Sequence, residues 1–418
     1  MATTQYLSYR MKQPKILLLV VIALLPLTLV SCVPGSAQLA RGWSGTAVHN
    51  GIIYVGTVDG RVVAINSSTG NLEWAYSIAP VTAPSSGLSC GQTSVTTAIY
   101  DTPVVDRDIV YIGTYSGQVL ALNTLARSQN LTFPQRGYGE WKWDCPIDNA
   151  RSNAIVADLL VSADTIYVSS SNGRVYSLDK EFGDLNWESK ILDEKHRKLW
   201  TSPVIQGDTL YVSTFDGHIY ALSLETGELS DWSFESEAGF ASSPVIYEDT
   251  IFLGSFDRYL YAVKIGSDVP MWKFPQEKPA GNWFWASPIV NEGIVYASCL
   301  DGKVYAIDAE TWEELWQFES QDSRGKPAAI VSTPVLVGDL LIVANEAGNV
   351  YVINPETGDG ERIKNRENGD KSTIDAQIRA SLCAHEDLVY IRGEDNRLYV
   401  VDIDKREVSP PISLTIEE

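Results

Sequence analysis

The sequence predicts an all-β protein: an eight-bladed β-propeller with four-stranded antiparallel blades. The first observation is a hairpin pattern, clearest at Thr209–Leu222, in which two apolar, aromatic-rich runs flank an Asp-Gly turn. Glycine supplies the positive φ that such a turn needs. The second is repetition, because eight copies follow at intervals of 41 to 57 residues, close to the length of a propeller blade. One small or apolar residue marks each copy: Ala64, Ala121, Ser177, Ala221, Ala262, Ala306, Val352 and Val400.

The inner strand of each blade leaves its own signal, a Ser/Thr-Pro pair ahead of most hairpins. Proline is tolerated as the first residue of a strand, because its missing N–H is not yet needed there. These pairs are Thr102-Pro103, Ser202-Pro203, Ser243-Pro244, Ser287-Pro288 and Thr333-Pro334.

The outer strand is indicated by a Thr-Gly turn followed by a tryptophan. We expect each indole to pack against the neighbouring blade, since burying such a side chain is worth roughly 1.5–3 kcal/mol. These blade-docking tryptophans are Trp74, Trp187, Trp232, Trp272 and Trp316, with Trp141 or Trp143 serving the second blade.

The closure of the ring is left open by the sequence. The first copy includes 43–50 as its own inner strand, whereas the last copy has only 408–414 for its outer strand. Blades one and eight could therefore close the ring by packing face to face, or the segment ahead of the first blade could add a strand.

The first 32 residues are set aside as a targeting segment. Lys12 and Lys15 precede an apolar run over 16–30, which is too short for a comfortable membrane span of about 20 residues. Leu29-Val30-Ser31-Cys32 resembles the bacterial lipobox, which implies cleavage before Cys32 and a diacylglycerol on its sulfur. An uncleaved anchor helix is the alternative. Both readings place the rest outside the cytoplasm, as a tether over 33–42 and a propeller over 43–418, whether translation starts at Met1 or Met11.

Charge and cysteine content limit the partners. The net charge of −21 argues against nucleic acid, whose phosphates must be met by Lys and Arg, and we expect a monomer. An oxidising compartment permits disulfides, and Cys90 and Cys145 lie in neighbouring insertions, which makes them a candidate pair. We expect Cys299 and Cys383 to be small buried apolar residues. Without a CxxC pair or a Cys/His cluster, no zinc site is predicted.

The pattern A-x-D/N-x-x-T-G-x-x-x-W, cleanest at Ala64–Trp74, resembles the tryptophan-docking motif of PQQ-like (quinoprotein-type) propellers. The copies depart from it at Phe182, which replaces Thr, and at Trp312, which replaces Gly; Arg362 and Pro410 stand in place of the last two tryptophans. The resemblance covers about 43–410. With the lipobox, the chain is similar to the outer-membrane-assembly lipoproteins of the BamB type. This implies a scaffold that binds protein partners of the cell envelope, without catalysis or cofactor.

The binding face is predicted where the long insertions emerge, because long loops on a rigid ring commonly carry binding residues. Aromatic residues stand just ahead of the innermost strands on that face, and Arg379 is expected near the channel. We expect exposed rings there to bind a partner, although they could instead plug the funnel and pack on the loops. The aromatic candidates are Tyr100, Trp200, Phe240, Trp283, Phe284 and Trp285.

Two other functions are weighed against the scaffold. Quinone-dependent dehydrogenases resemble this fold, but they hold PQQ and a calcium ion with convergent oxygen ligands and commonly carry an adjacent cysteine pair. The sequence has no Cys-Cys pair and no recognisable ligand set, so no catalytic residue is predicted. A cell-surface propeller that binds a ligand or polysaccharide is the second alternative, since aromatic rings can stack on sugars. In a cell with one membrane, the assembly role would not apply.

Overall fold

The structure, a computed structural model, describes residues 42–78, 81–82, 94–95, 98–124, 141–146, 154–190, 192, 198–240, 242–267, 272–365 and 371–415. The predicted signal peptide, Cys32 and most of the tether lie outside these ranges and stay predictions. In the described ranges the chain is built from strands, which confirms the all-β prediction. None of the described residues forms a helix long and apolar enough to cross a membrane.

Eight sheets follow one another along the chain, and in each the strands pair in sequence order, antiparallel. This confirms the eight-bladed propeller. Blade 1 consists of Thr46–His49, Ile52–Gly56, Arg61–Asn66 and Leu72–Ser77; blade 2 of Val104–Asp106, Ile109–Gly113, Gln118–Asn123 and Trp141–Pro146; blade 3 of Leu160–Ser162, Thr165–Ser169, Val175–Asp179 and Leu185–Glu188; blade 4 of Val204–Gln206, Thr209–Ser213, His218–Ser223 and Leu229–Glu235.

The second half of the ring has the same arrangement. Blade 5 consists of Val245–Tyr247, Thr250–Gly254, Leu260–Lys264 and Trp272–Phe274; blade 6 of Ile289–Asn291, Ile294–Ser298, Lys303–Asp308 and Glu314–Glu319; blade 7 of Val335–Val337, Leu340–Ala344, Val350–Ile353 and Gly360–Arg362; blade 8 of Cys383–His385, Leu388–Arg392, Arg397–Asp402, Glu407–Val408 and Ile412–Ser413. A small sheet of Val81–Thr82 and Ser94–Val95 lies in the insertion between blades 1 and 2.

In several blades the small residue that marks the repeat makes room between two rings. In blade 1, Ala64 pairs with Tyr54 on one side and with Trp74 on the other, and the centroids of the two rings are 5.9 Å apart. A larger side chain on the middle strand would stand between them. The same cross-strand triplet recurs in blade 3 around Ser177 and in blade 6 around Ala306.

The indoles reach the next blade at its Thr-Gly turn. The Nε1–H of Trp187 donates to the carbonyl of Leu224 at 2.9 Å, across the seam between blades 3 and 4. Gly227, in that turn, has φ of 70°, and a Cβ there would overlap the Trp187 ring. The glycine of the motif therefore serves two needs, a left-handed backbone and a flat surface for the neighbouring indole.

Two other seams repeat this hydrogen bond, whereas the buried Nε1–H groups of Trp74 and Trp272 have no hydrogen-bond partner among the described residues. The Nε1–H of Trp232 donates to Ser267 and that of Trp316 donates to Pro355, both at 2.8 Å. Between blades 5 and 6, Trp312 occupies the glycine position with φ of 65°, and Trp272 packs against its ring at 5.6 Å. The lost glycine is thus replaced by an aromatic contact.

The ring closes by face packing between blades 1 and 8. Ile53 and Val55 of blade 1 belong to one buried cluster with Tyr390 and Leu398 of blade 8. In the described residues, each blade uses strands of its own repeat. The other closure, in which the segment ahead of the first blade adds a strand, falls on residues outside the described ranges and stays a prediction. The outer strand of blade 8, expected over 408–414, is split into two short pieces.

The cysteines can be placed in part. Cys299 is fully buried, as predicted, and burial raises the pKa of its thiol. Cys383 is only half-buried, on the innermost strand of blade 8. Cys90 lies outside the described residues, so its pairing with Cys145 stays a prediction.

Candidate functional site

A cavity of about 250 Å³ lies where the chain enters the innermost strands, and residues from all eight blades line it. We call it the channel mouth. The Ser or Thr of each Ser/Thr-Pro pair contributes a hydroxyl to its wall, with Asp158 at the equivalent place in blade 3. Ser381 takes this place in blade 8. The polar residues of the wall are therefore Thr102, Asp158, Ser202, Ser243, Ser287, Thr333 and Ser381.

The aromatic side of the mouth runs continuously across blades 4 to 6. Trp200 contacts Phe215 at 5.2 Å between centroids, Phe215 contacts Phe256 at 4.7 Å, and Phe256 contacts Trp283 at 5.2 Å and Trp285 at 6.2 Å. We call these five rings the aromatic arc. Contacts of this kind hold rings in place beyond the gain from burial alone.

Blades 1 and 2 add a second aromatic group to the same mouth. Trp43 and Tyr100 meet edge to face at 4.6 Å, and Tyr100 and Tyr115 are 5.3 Å apart. Tyr115 remains 47% exposed, so part of this group is open to a partner.

The charged side of the mouth belongs to blades 7 and 8. Arg379 lines the cavity, and its guanidinium donates to Glu346 at 2.6 Å and contacts Glu394 at 3.1 Å. Two carboxylates therefore surround one cation. The cluster carries a net negative charge, and Arg379 is held in one orientation.

Two carboxyl groups meet between blades 2 and 3. Asp101 is fully buried and accepts from the backbone N–H groups of Gly113 and Leu159. The half-buried Asp158 lies close enough for the two carboxyl groups to influence each other's pKa. Burial raises the pKa of both groups, and the charge of Asp158 raises that of Asp101 further. Like charges close together disfavour double ionisation, so the pair holds a proton to a higher pH than two isolated carboxyl groups would.

The predicted binding residues divide into two groups. Tyr100, Trp200, Trp285 and Arg379 line the channel mouth, and Trp283 lies beside it in the aromatic arc, 40% exposed. The structure thus brings together residues that are up to 279 positions apart in the sequence (100 to 379).

Phe240 and Phe284 need a correction, because both are fully buried. Phe240 packs against Tyr261 at 5.7 Å and Phe284 packs against Tyr305 at 5.7 Å. Side chains of successive extended residues point to opposite sides. When one residue of such a segment faces the channel mouth, the side chain of its neighbour points between two blades. The rings of Phe240 and Phe284 point this way and belong to the core.

Sequence reasoning missed Trp43, Tyr115, Phe215 and Phe256 as members of the site. The last three occupy one repeat position, the second residue of the turn between the second and third strands. That position points to the mouth in several blades, and its eight occupants are Val58, Tyr115, Ser171, Phe215, Phe256, Leu300, Glu346 and Glu394. Its variation from copy to copy was the available signal.

No group of three or more His, Cys, Asp or Glu side chains within the described ranges is arranged to hold a metal ion. Fold and site together define an eight-bladed propeller with tryptophan-docked blades and a mouth that is aromatic on one side and acidic on the other.

The chain matches the family described as "Outer membrane protein assembly factor BamB" over residues 33–140 and 232–414, and it belongs to that family. A curated relative, the outer membrane protein assembly factor BamB of Kangiella koreensis, is 25% identical over 140 residues. That match covers 34% of this chain and 30% of the relative's length.

Solved structures share the fold at low sequence identity. The crystal structure of BamB from Moraxella catarrhalis is similar with a TM-score of 0.60 at 18% identity, covering 85% of this chain and 93% of the other. The computationally designed Ika8 protein gives 0.63 at 15%, covering 87% and 97%, and a europium-containing methanol dehydrogenase gives 0.58 at 13%, covering 87% and 83%. An assembly factor, a designed protein and an enzyme share one architecture, so function must be argued from the site.

Proposed function

We propose that the protein is a lipid-anchored, extracytoplasmic scaffold that binds protein partners during outer-membrane protein assembly and catalyses no reaction. The observation that carries this is the family match over residues 33–140 and 232–414. The lipobox that ends at Cys32 supports attachment to a membrane from outside the cytoplasm.

The chemistry of the channel mouth suits recognition of a protein surface. Tryptophan is one of the side chains most enriched among the residues that dominate binding energy, and the aromatic arc presents Trp200, Trp283 and Trp285 on a rigid frame. Polar groups of the wall are already engaged: Ser243 accepts from the N–H of Ser202 at 2.9 Å, and Asp158 accepts from that of Thr102 at 2.7 Å. These hydrogen bonds join neighbouring blades and stabilise the wall.

The partner can be tested by crosslinking in the living cell, followed by mass spectrometry of what is captured. A variant with Trp200→Ala, Phe215→Ala and Trp285→Ala should lose capture of the outer-membrane assembly machinery. Phe182→Ala is a matched control, since Phe182 is 63% exposed on an outer turn. Equal capture by both variants would place the binding surface elsewhere, and capture of unrelated proteins only would contradict the assembly role.

The anchor can be tested separately. Cys32→Ala should move the protein from the membrane to the soluble extracytoplasmic fraction and abolish lipid on the N-terminal peptide. An unmodified Cys32 in the wild-type chain would contradict lipidation without affecting the partner experiment.

A glycan-binding propeller is the second candidate, because the aromatic arc lies next to a ring of hydroxyls and carboxylates that could hydrogen-bond sugar hydroxyls. Quenching of tryptophan fluorescence by oligosaccharides, lost in the same triple variant, would favour it. The dehydrogenase reading predicts dye reduction with added PQQ and calcium, and we expect none.

A further inference from the structure

The seam between blades 5 and 6 departs from the tryptophan-docking pattern at two points. Trp312 takes the left-handed turn position at φ of 65°, a backbone conformation that disfavours bulky residues. Equivalent turns carry glycine there, at φ between 70° and 75°: Gly70, Gly227 and Gly358. The Nε1–H of Trp272, whose ring packs on Trp312, is buried without a partner among the described residues. Both departures cost stability, and residues held against such a cost cluster at functional sites.

A cavity of about 870 Å³ opens at this seam. Phe274 of blade 5 and Tyr305 of blade 6 are both buried and pack edge to face at its base, 5.2 Å apart. The half-buried Trp272 and Trp312 also line it. The volume lies within the range of roughly 300–1,000 Å³ that is common for small-ligand sites. The cavity shares no lining residue with the channel mouth and is therefore a separate candidate site.

Polar side chains of two elements surround the aromatic part of the cavity. Glu314 and Gln317 line it from the outer strand of blade 6, and Gln276 and Lys278 line it from the loop that follows blade 5. All four are exposed. The Nζ of Lys303 donates to the Gln317 amide oxygen at 2.9 Å, so the amide nitrogen of Gln317 is left to donate to a ligand.

The charges of the lining favour an uncharged ligand. They are nearly balanced, in a protein whose net charge is −21, so a strongly charged ligand would meet like charges as well as opposite ones. A wall that offers both donors and acceptors suits hydroxyl groups, because each hydroxyl donates and accepts. The cationic side chains are Arg258, Lys278 and Lys303, and the carboxylates are Glu277, Asp301, Glu313 and Glu314.

We infer that the cavity between blades 5 and 6 binds an uncharged oligosaccharide. A sugar ring has C–H groups on its faces and hydroxyl groups around its edge. The faces would pack on Trp272 and Trp312, and the edge would form hydrogen bonds with Gln317 and Lys303. The site goes beyond the proposed assembly role and is distinct from the glycan alternative at the channel mouth.

A proline-rich peptide, which also docks in aromatic-lined grooves, fits this cavity less well. Such a peptide has no internal hydrogen bonds, so its carbonyl groups need donors from the groove. The Tyr305 hydroxyl already donates to Asp301 at 2.9 Å, and the Nε1–H of Trp272 is buried. The aromatic residues therefore offer packing surface without free donors.

Saturation-transfer-difference NMR on the full chain tests the inference, with maltotriose, cellotriose, mannotriose and tri-N-acetylchitotriose as the probes. At least one should bind. Trp312→Gly removes the ring and should weaken that binding by about tenfold or more. Because glycine is the residue of the equivalent turns, this variant should stay folded. Gln317→Ala, at an exposed side chain, should weaken binding several-fold through the lost hydrogen bond.

Leu315→Ala is the matched control, since Leu315 is 46% exposed on the same strand and does not line the cavity. It should bind the sugar as the wild type does. The triple variant of the channel mouth described above should also bind normally, which separates this site from the proposed function.

Failure of every probe to bind would overturn the inference, and so would loss of binding in the triple mouth variant. Wild-type affinity in both Trp312→Gly and Gln317→Ala would overturn it as well. Should Trp312→Gly not fold, Gln317→Ala decides alone, and unchanged affinity in that variant would contradict the site.

Discussion

The outer rim of the propeller and the channel mouth use the same repeat in opposite ways. At the rim, equivalent residues make equivalent contacts. Trp187 of blade 3 donates a hydrogen bond to the turn of blade 4, and Trp316 of blade 6 donates one to the turn of blade 7. At the mouth, one turn position is Phe in blades 4 and 5 but Glu in blades 7 and 8. Repetition marks packing that every blade needs, whereas variation marks surface that is free to acquire a specific partner.

The largest expected effect is at the rim. Trp316→Ala removes a buried indole and should lower the free energy of unfolding by about 3–5 kcal/mol. Trp283→Ala, at the 40% exposed mouth position, should cost less than about 1 kcal/mol. Denaturant unfolding of both variants measures the contrast, and similar costs would remove the distinction between rim and mouth.

Glycine substitutions sharpen the same contrast between a packed and an open turn. Gly227→Ala should cost about 2–3 kcal/mol, because the new methyl meets the Trp187 ring in a left-handed backbone. Gly207→Ala is matched, with φ of 59° and no atom within 4 Å, and Arg107 and Glu248 occupy equivalent turns at φ of 52°. It should cost no more than about 1 kcal/mol. Equal melting temperatures for the two variants would contradict the docking role of Gly227.

The smallest effect concerns pH and the acid pair at the mouth. Raised pKa values of Asp101 and Asp158 mean that the folded state keeps a proton which the unfolded chain releases. Stability should therefore be fully present below the unfolded pKa and fall as pH rises through the folded pKa. Asp158→Asn, which can donate to Asp101 and still accept from Thr102, should gain about 1 kcal/mol at pH 8 and lose this advantage at pH 4. A pH-independent difference in melting temperature would show that no proton is shared.

Sequence patterns predicted the architecture and much of the mouth, but not the direction of every side chain. Hairpin and tryptophan spacings were sufficient for eight blades because each blade is formed by local pairing. Phe240 and Phe284 were misassigned because a shift of one residue along an extended segment exchanges wall and core. Phe215 and Phe256 were missed because a single position within a turn gives no periodic signal in one copy.

By itself, the sequence determined the repeat, the number of blades and the side chains available to dock them, since these depend on residues within about 50 positions of one another. The tertiary structure alone decided which rings face the mouth, that Asp101 meets Asp158, and that Arg392 reaches Gly42 across 350 positions. Those contacts join residues of different blades, which meet only when the blades pack against one another, and no local pattern encodes the distance between them.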